Sequence, residues 1–247
     1  MNILFKIFAP LWSPKTCYRF IEVIKPFVML LAALGLGYGM VGGLFLSPAD
    51  YQQGDCFRII YIHVPFAILS VFLYSAMGIL SLIFLIWRIK IADMLAYSIA
   101  PMGALFTFLA LVTGAIWGKP MWGTWWIWDA RLTSELILLF LYLGYIALYK
   151  ALLTSKKSKI APAILSVVGL VDLPIIHYSV YWWNTLHQGA TITKFAKPSM
   201  DSSMLYPLLA MLLGMVALAV WIVGNRLQAE ILQHSEQQTW LKQEVYV

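Results

Sequence analysis

Charged residues are scarce in this 247-residue chain: Asp, Glu, Lys and Arg make up 11% of it, against 62% hydrophobic residues. Soluble domains carry about 25% charged residues, so water is excluded as the solvent for most of this surface. A mean hydropathy of +0.80 leads to the same place. Also missing are a glycine loop to cradle phosphates, a nucleophile beside a general base, and a dedicated cage of metal ligands. Neither hydrolysis nor nucleotide binding is therefore expected, and no residue is assigned a catalytic role. No ten-residue stretch alternates in the manner of a membrane barrel, which excludes strands as the spanning element. With no internal repeat, low-complexity segment or soluble domain, residues 1–247 read as a single polytopic membrane domain.

What is present is a series of apolar runs, each near the roughly 20 residues a helix needs to cross the hydrocarbon core. They lie at about Phe27–Leu46, Ile60–Trp87, Met94–Ile116, Leu132–Tyr149, Ile160–Val180 and Leu205–Val223. The expectation is an all-α integral membrane protein with six transmembrane helices. Twelve of the seventeen Lys and Arg residues fall before the first run, around Arg88 and Lys90, from Lys150 to Lys159, and after the sixth run. The positive-inside bias puts those segments in the cytoplasm, with both termini inside. The connections Ser47–Arg58, Trp117–Arg131 and Tyr181–Met204 then face outward. Anionic lipid at the inner leaflet accounts for the net charge of +6, and no nucleic acid is implied. No small-residue cleavage site follows the first run, which reads as an uncleaved span. Cys17 and Cys56 fall on opposite sides in this topology and cannot pair. The segment from Arg226 to Val247 reads as a mixed-charge tail, its start a continuation of the sixth helix.

Five of the eleven tryptophans, Trp117, Trp122, Trp125, Trp126 and Trp128, lie within thirteen residues of one outward connection, among Gly118, Pro120 and Gly123. Each indole offers a large flat face and one N–H donor, so a cluster of them suits a planar apolar ligand with a polar rim, haem first among them. An interfacial aromatic belt is the competing reading, although a belt is spread over both faces. Two histidines share the tryptophan face, His63 near the outer end of the second span and His187 in the last connection. Neutral imidazoles from two sides would give iron a six-coordinate site. Pro65 disfavours helix at Val64 and is expected to free backbone beside His63. Neither cysteine sits in a C-x-x-C-H attachment site, so the chain is not itself a c-type cytochrome.

Other polar residues admit two readings each. His177, in the fifth span, is a rival ligand or a hydrogen-bond partner for another helix. Asp172, about midway along that span, must be paired, protonated or wet, and is a candidate proton relay. Asp129 is well placed to cap the fourth helix. Arg131 suits a haem propionate, or pairs with Asp129 or with Glu135 one turn on. His234 reads as a solvated residue of the tail.

The run Trp122-Gly123-Thr124-Trp125-Trp126-Ile127-Trp128-Asp129 fits the WGxxWxWD signature of the haem-handling, tryptophan-rich membrane proteins, and HVP around His63 and NTLHQG around His187 fit one branch of them. With the DYQQGD segment around Tyr51 and LPIIHYSV around His177, nearly the whole chain resembles the CcmC family of the System I cytochrome c maturation machinery. The resemblance implies a protein that holds haem b at the periplasmic side of the bacterial inner membrane, with His63 and His187 as axial ligands and the tryptophan segment 117–131 against the ring. It also implies partners: the haem chaperone CcmE, which receives the haem, and CcmA, CcmB and CcmD in a membrane complex of the ABC transporter type. Two other classes stay open on the residues alone. A proton-coupled small-solute transporter would use Asp172 and His177; a haem-bearing electron-transfer subunit would need histidines deeper in the span.

Overall fold

A computed structural model describes residues 13–152, 159–189, 192, 197, 198 and 200–235 of the protein. Lys156 and Lys157 of the basic connection, part of the Tyr181–Met204 connection and the tail beyond residue 235 lie outside the described residues. The chain is nearly all helical. In order come α1 (Pro14–Met40), continuing as a π-helix over Val41–Leu46; a 3-10 turn at Asp55–Ile59 leading into α2 (Ile60–Trp87); and α3 (Lys90–Trp122). Then follow α4 (Ala130–Ala151), α5 (Ile160–Val168), a 3-10 turn at Gly169–Val171, α6 (Asp172–Trp182) and α7 (Ser202–Ser235). Among the described residues, six helical stretches are long and apolar enough to cross a membrane, α5 and α6 forming one of them together.

Four of these stretches run to 33 residues, longer than their apolar runs. At 1.5 Å per residue that is about 50 Å of helix, well beyond a hydrocarbon core of ~30 Å. Hydropathy marks the part of a helix that lipid demands. The helix itself continues while its backbone bonds are met. This overturns the reading of Trp117–Arg131 as one connection: Trp117, Gly118, Pro120 and Trp122 belong to the last turns of α3, and only residues 123–129 are non-helical. Gly123 ends the helix in the left-handed region at φ 76°, donating its N–H to the Lys119 carbonyl at 3.1 Å. The break expected at Val64 is also absent, because α2 runs through Pro65 without interruption. Beyond residue 223, α7 continues to Ser235, as the tail reading anticipated.

Packing brings the helices together through small residues. Gly35 and Gly39, one turn apart on α1, let α7 approach so closely that a Cβ on Gly35 would come 2.8 Å from Gly214 Cα. α2 and α3 form an antiparallel hairpin through Arg88, itself left-handed at φ 58°. α4 lays a buried stripe of Glu135, Leu138, Tyr142, Tyr145 and Tyr149 against the core, while Phe140 and Leu143 stay exposed. Helical spacing of 3.6 residues puts that stripe on one face. Cys17 is buried at one end of the bundle and Cys56 exposed at the other, and both are free thiols.

Candidate functional site

His63 lies one turn into α2, partly buried, with its imidazole in the space that Gly114 leaves open on α3. A Cβ there would come 3.1 Å from His63 Cε1. Immediately before Gly114 on α3, the Thr113 hydroxyl lies 3.0 Å from His63 Nδ1 and 2.6 Å from the Leu109 carbonyl. A carbonyl only accepts, so Thr113 spends its proton on Leu109 and offers a lone pair to the ring. Nδ1 therefore carries the hydrogen, and Nε2 keeps its lone pair. Trp117 packs edge-on against the same ring at 5.6 Å between centroids. Its indole N–H donates to Gln53 Oε1 at 2.9 Å, and Gln53 is held in turn by the Asp50 carboxylate, which accepts its backbone N–H at 2.8 Å.

The same logic applies to His187. Its Nδ1 lies 2.8 Å from the Gln188 carbonyl, which can only accept, so Nε2 is again the nitrogen with a free lone pair. Thr185 Oγ1 accepts the His187 backbone N–H at 2.8 Å and shapes the turn. Burial, and after it the Arg131 guanidinium, hold the His187 imidazole below its ordinary value of 6.5, which keeps it neutral at pH 7. Trp122 stands 6.3 Å from the His187 ring, its indole pressed against the backbone face of Gly118, where a Cβ would meet it at 2.9 Å. His63 and His187 lie within electrostatic reach of each other and of Arg131.

The loop beyond Trp122 is held by local bonds. Thr124 Oγ1 donates to the Trp126 carbonyl at 3.1 Å, and Asp129 caps α4 by accepting the Leu132 N–H at 2.8 Å. Trp126 and Trp128 meet edge to face at 5.3 Å. Trp125 and Trp128 are exposed, the latter at 76%. Trp126 Nε1 and Asp129 Oδ2 are buried without a hydrogen-bond partner. Orphaned buried donors and acceptors are rare in folded proteins, and these two lie beside the exposed indoles, where a ligand's polar rim could meet them. Arg131 donates from Nη1 to the Ile176 carbonyl of α6, not to Asp129 or Glu135. Glu135 reaches α2 instead, where Ser70 Oγ lies 2.7 Å away.

Two expected participants are not at this cluster. His177 is exposed on the outer face of α6, its ring edge-on to Tyr178 at 4.8 Å, and so is turned away from the bundle that a ligand or interhelical bond would require. Asp172, at the start of α6, is buried on a different face of that helix. The pair a solute transporter would have used is therefore split.

The family model described as Heme exporter protein C matches residues 7–242. The chain belongs to the CcmC family. Among its relatives, the Heme exporter protein C of Haemophilus influenzae is 50% identical over 97% of both chains. That of Escherichia coli K12 is 44% identical over 97% of both. A putative cytochrome c biosynthesis ccmC-like mitochondrial protein of Marchantia polymorpha is 44% identical over 77% of this chain and 79% of its own.

For a member of the CcmC family the chemistry of this end is coherent. Two neutral imidazoles with unspent Nε2 lone pairs suit iron. Exposed indole faces suit a porphyrin plane, and a guanidinium among orphaned polar atoms suits its carboxylates. Thr113, Gly114, Gln53 and Ser70 escaped sequence reasoning. Each is of a common residue type, and its role exists only through a partner at least 50 positions away. The DYQQGD segment was the one available signal, for Gln53.

Proposed function

We propose that the protein binds haem b at its tryptophan end and presents it, at the periplasmic face of the bacterial inner membrane, to the haem chaperone CcmE for c-type cytochrome biogenesis. His63 and His187 supply the axial Nε2 atoms. Trp117 and Trp122 back the two imidazoles, Trp125, Trp126 and Trp128 pack on or beside the ring, and Arg131, with Asp129 shaping the loop, faces a propionate. CcmA, CcmB and CcmD are its partners in the membrane. The positive-inside bias supports this orientation, since the tryptophan end has the fewer Lys and Arg residues. The relatives, heme exporter proteins C, support the cargo.

The observation that carries the reading is the pair of histidines whose Nδ1 atoms are both spent as donors, leaving two Nε2 lone pairs at one end of the bundle. An open site of this kind suits transfer. Aromatic contact desolvates the haem without enclosing it, and a partner's ligand can displace one imidazole. The protein acts as a carrier, and any covalent bond to haem forms on the partner.

The test is the optical spectrum of the purified protein. His63→Gly and His187→Gly are each expected to abolish the low-spin bis-histidine spectrum, and added imidazole to restore it by filling the gap. His177→Gly is expected to leave it intact. A low-spin spectrum that survives His187→Gly and is lost with His177→Gly would overturn the ligand assignment.

A further inference from the structure

Directly inward of the proposed haem site lies a group of polar side chains that the proposed function leaves unused. Ser70 stands two turns from His63 on the same face of α2, 2.7 Å from Glu135 of α4. Glu135 is 7% exposed and one turn from Arg131. Arg131 reaches across to the Ile176 carbonyl on α6. Because α4 and α6 run antiparallel, the turn of α6 that begins at Asp172 lies at the level of Glu135. Asp172 is 8% exposed, and its Oδ2 has no hydrogen-bond partner. Tyr74, one turn along α2 from Ser70, is fully buried with an unpartnered hydroxyl that abuts Gly169, in the turn before Asp172.

Ser70 makes Glu135 tolerant of either protonation state. Its single proton has two acceptors in range, Glu135 Oε1 and the Ala67 carbonyl at 2.8 Å. When Glu135 is ionised, Ser70 donates to it. When Glu135 is protonated, the acid donates to Ser70 Oγ and Ser70 turns its proton to Ala67. The Glu135–Ser70 bond persists in both states, so local charge decides between them.

The charges facing Glu135 are Arg131 on its own helix and Asp172 on α6. From α2 come only the neutral Ser70 and Tyr74. On α3, the buried Thr107 spends its hydroxyl on the Gly103 carbonyl. Tyr142 of α4, further in, donates to the Ser70 carbonyl, and α5 meets α4 deeper still, through Leu165 at Gly144. Arg131, which Asp129 also faces from the loop, is the single cation over Glu135 and Asp172; in a low-dielectric core it balances at most one of these two carboxylates, so the other must hold a proton.

We propose that Glu135 and Asp172 form a proton-binding site coupled to haem, which holds one proton in the haem-free protein and takes up a second from bulk water when a propionate engages Arg131. The propionate consumes the charge that had balanced the remaining carboxylate. That carboxylate becomes a neutral acid, and the proton returns to water when the haem leaves. This inference rests on the haem reading above and adds a ligand to it: haem binding and release become dependent on proton supply at the tryptophan end.

The full-length protein, purified in detergent and lightly buffered with an indicator dye near pH 7, is titrated with haem while the absorption spectrum is recorded. Wild type is expected to take up about one more proton per haem than the double variant Glu135→Gln/Asp172→Asn, whereas either single variant, whose one remaining carboxylate still loses its counter-charge to the propionate, keeps the increment. Both amides preserve shape. In the haem-free protein, the infrared carbonyl band of a buried protonated carboxyl should be present and should vanish in both single variants, where Arg131 balances the one acid left. Low-spin haem binding with equal proton uptake in wild type and the double variant overturns the proton site and leaves the haem reading standing. If no low-spin complex forms, the haem reading falls, and an infrared spectrum unchanged by either substitution overturns the proton site independently.

Discussion

The two ends of the bundle are built on opposite principles. At the end that carries Asp93 and Lys159, most polar groups are matched, with Ser81 Oγ and Arg226 Nε the buried exceptions. Asp93 Oδ2 accepts the Tyr149 hydroxyl at 3.0 Å and pairs with Lys159 Nζ at 2.8 Å, and Lys159 lies 5.3 Å over the Tyr149 ring. Lys25 bridges Glu22 at 2.8 Å and Gln228 at 2.9 Å, while Gln228 Nε2 donates to the Tyr18 carbonyl. These bonds tie α1 to α7 and join α3, α4 and α5. At the tryptophan end, Trp126 Nε1 and Asp129 Oδ2 are orphaned, two imidazoles keep a lone pair, and large indoles face outward. A completed hydrogen-bond network rigidifies; an incomplete one waits for a ligand. The contrast separates residues that hold the helices from residues that hold cargo.

If the contrast is right, substitutions at the tryptophan end change haem and those at the other end change stability. After the histidines themselves, the largest effect is expected at Thr113. Thr113→Val removes the acceptor that fixes the His63 tautomer, and loss of such an outer partner typically weakens a metal-ligand site by about 10–100-fold. Haem retention should fall by that order, and Thr113→Ser should recover most of it. Equal retention in Thr113→Val and wild type would show that the ring is oriented by packing against Trp117 alone.

Acidification comes next. His187 is held below 6.5 in the folded protein, so the unfolded chain binds the proton first as pH falls. Stability from the neutral ring is fully present above 6.5 and is lost as pH drops through the lower folded value. Protonation also removes the Nε2 lone pair. Haem dissociation followed by absorbance should accelerate below that ordinary histidine value, and a rate that is flat with falling pH would remove His187 from the ligand set.

Smaller, graded effects belong to the indoles. Trp122, Trp125, Trp126 and Trp128 replaced singly by Ala should each weaken haem retention by about 1 kcal/mol beyond lost area, roughly fivefold. Phe replacements should be milder, because an aromatic face is kept. Normal haem content and normal chaperone loading in all four Ala variants would reduce the tryptophans to membrane anchors. At the other end, Lys159→Met should leave the haem spectrum unchanged while costing about 1–3 kcal/mol in thermal stability, a range discounted for the partial exposure of Lys159. A haem defect there would break the comparison.

Six spans were legible because hydropathy is a sum over local composition, and lipid selects on that sum. Their ends were not: Trp117 and Trp122 are helical because α3 continues past the hydrocarbon until Gly123 stops it. The Asp129 cap was legible, since the residue stands immediately before an apolar helix and needs no distant partner. The partner of Arg131 was open between a ligand and two nearby acids, and the Ile176 carbonyl was not foreseeable, being presented by α6 across 45 positions. His177 looked like a rival ligand because its depth in the span is readable and its direction around the helix is not.

Composition and order along the chain thus determined the solvent, the number of spans, the family and the crowding of tryptophan beside two histidines. Tertiary structure alone decided which nitrogen of each imidazole stays free, which way His177 turns, and that Glu135 meets Ser70 beneath Arg131. The first set follows from additive properties of contiguous residues. The second depends on directional hydrogen bonds and helix phase, which exist only once segments distant in sequence have packed.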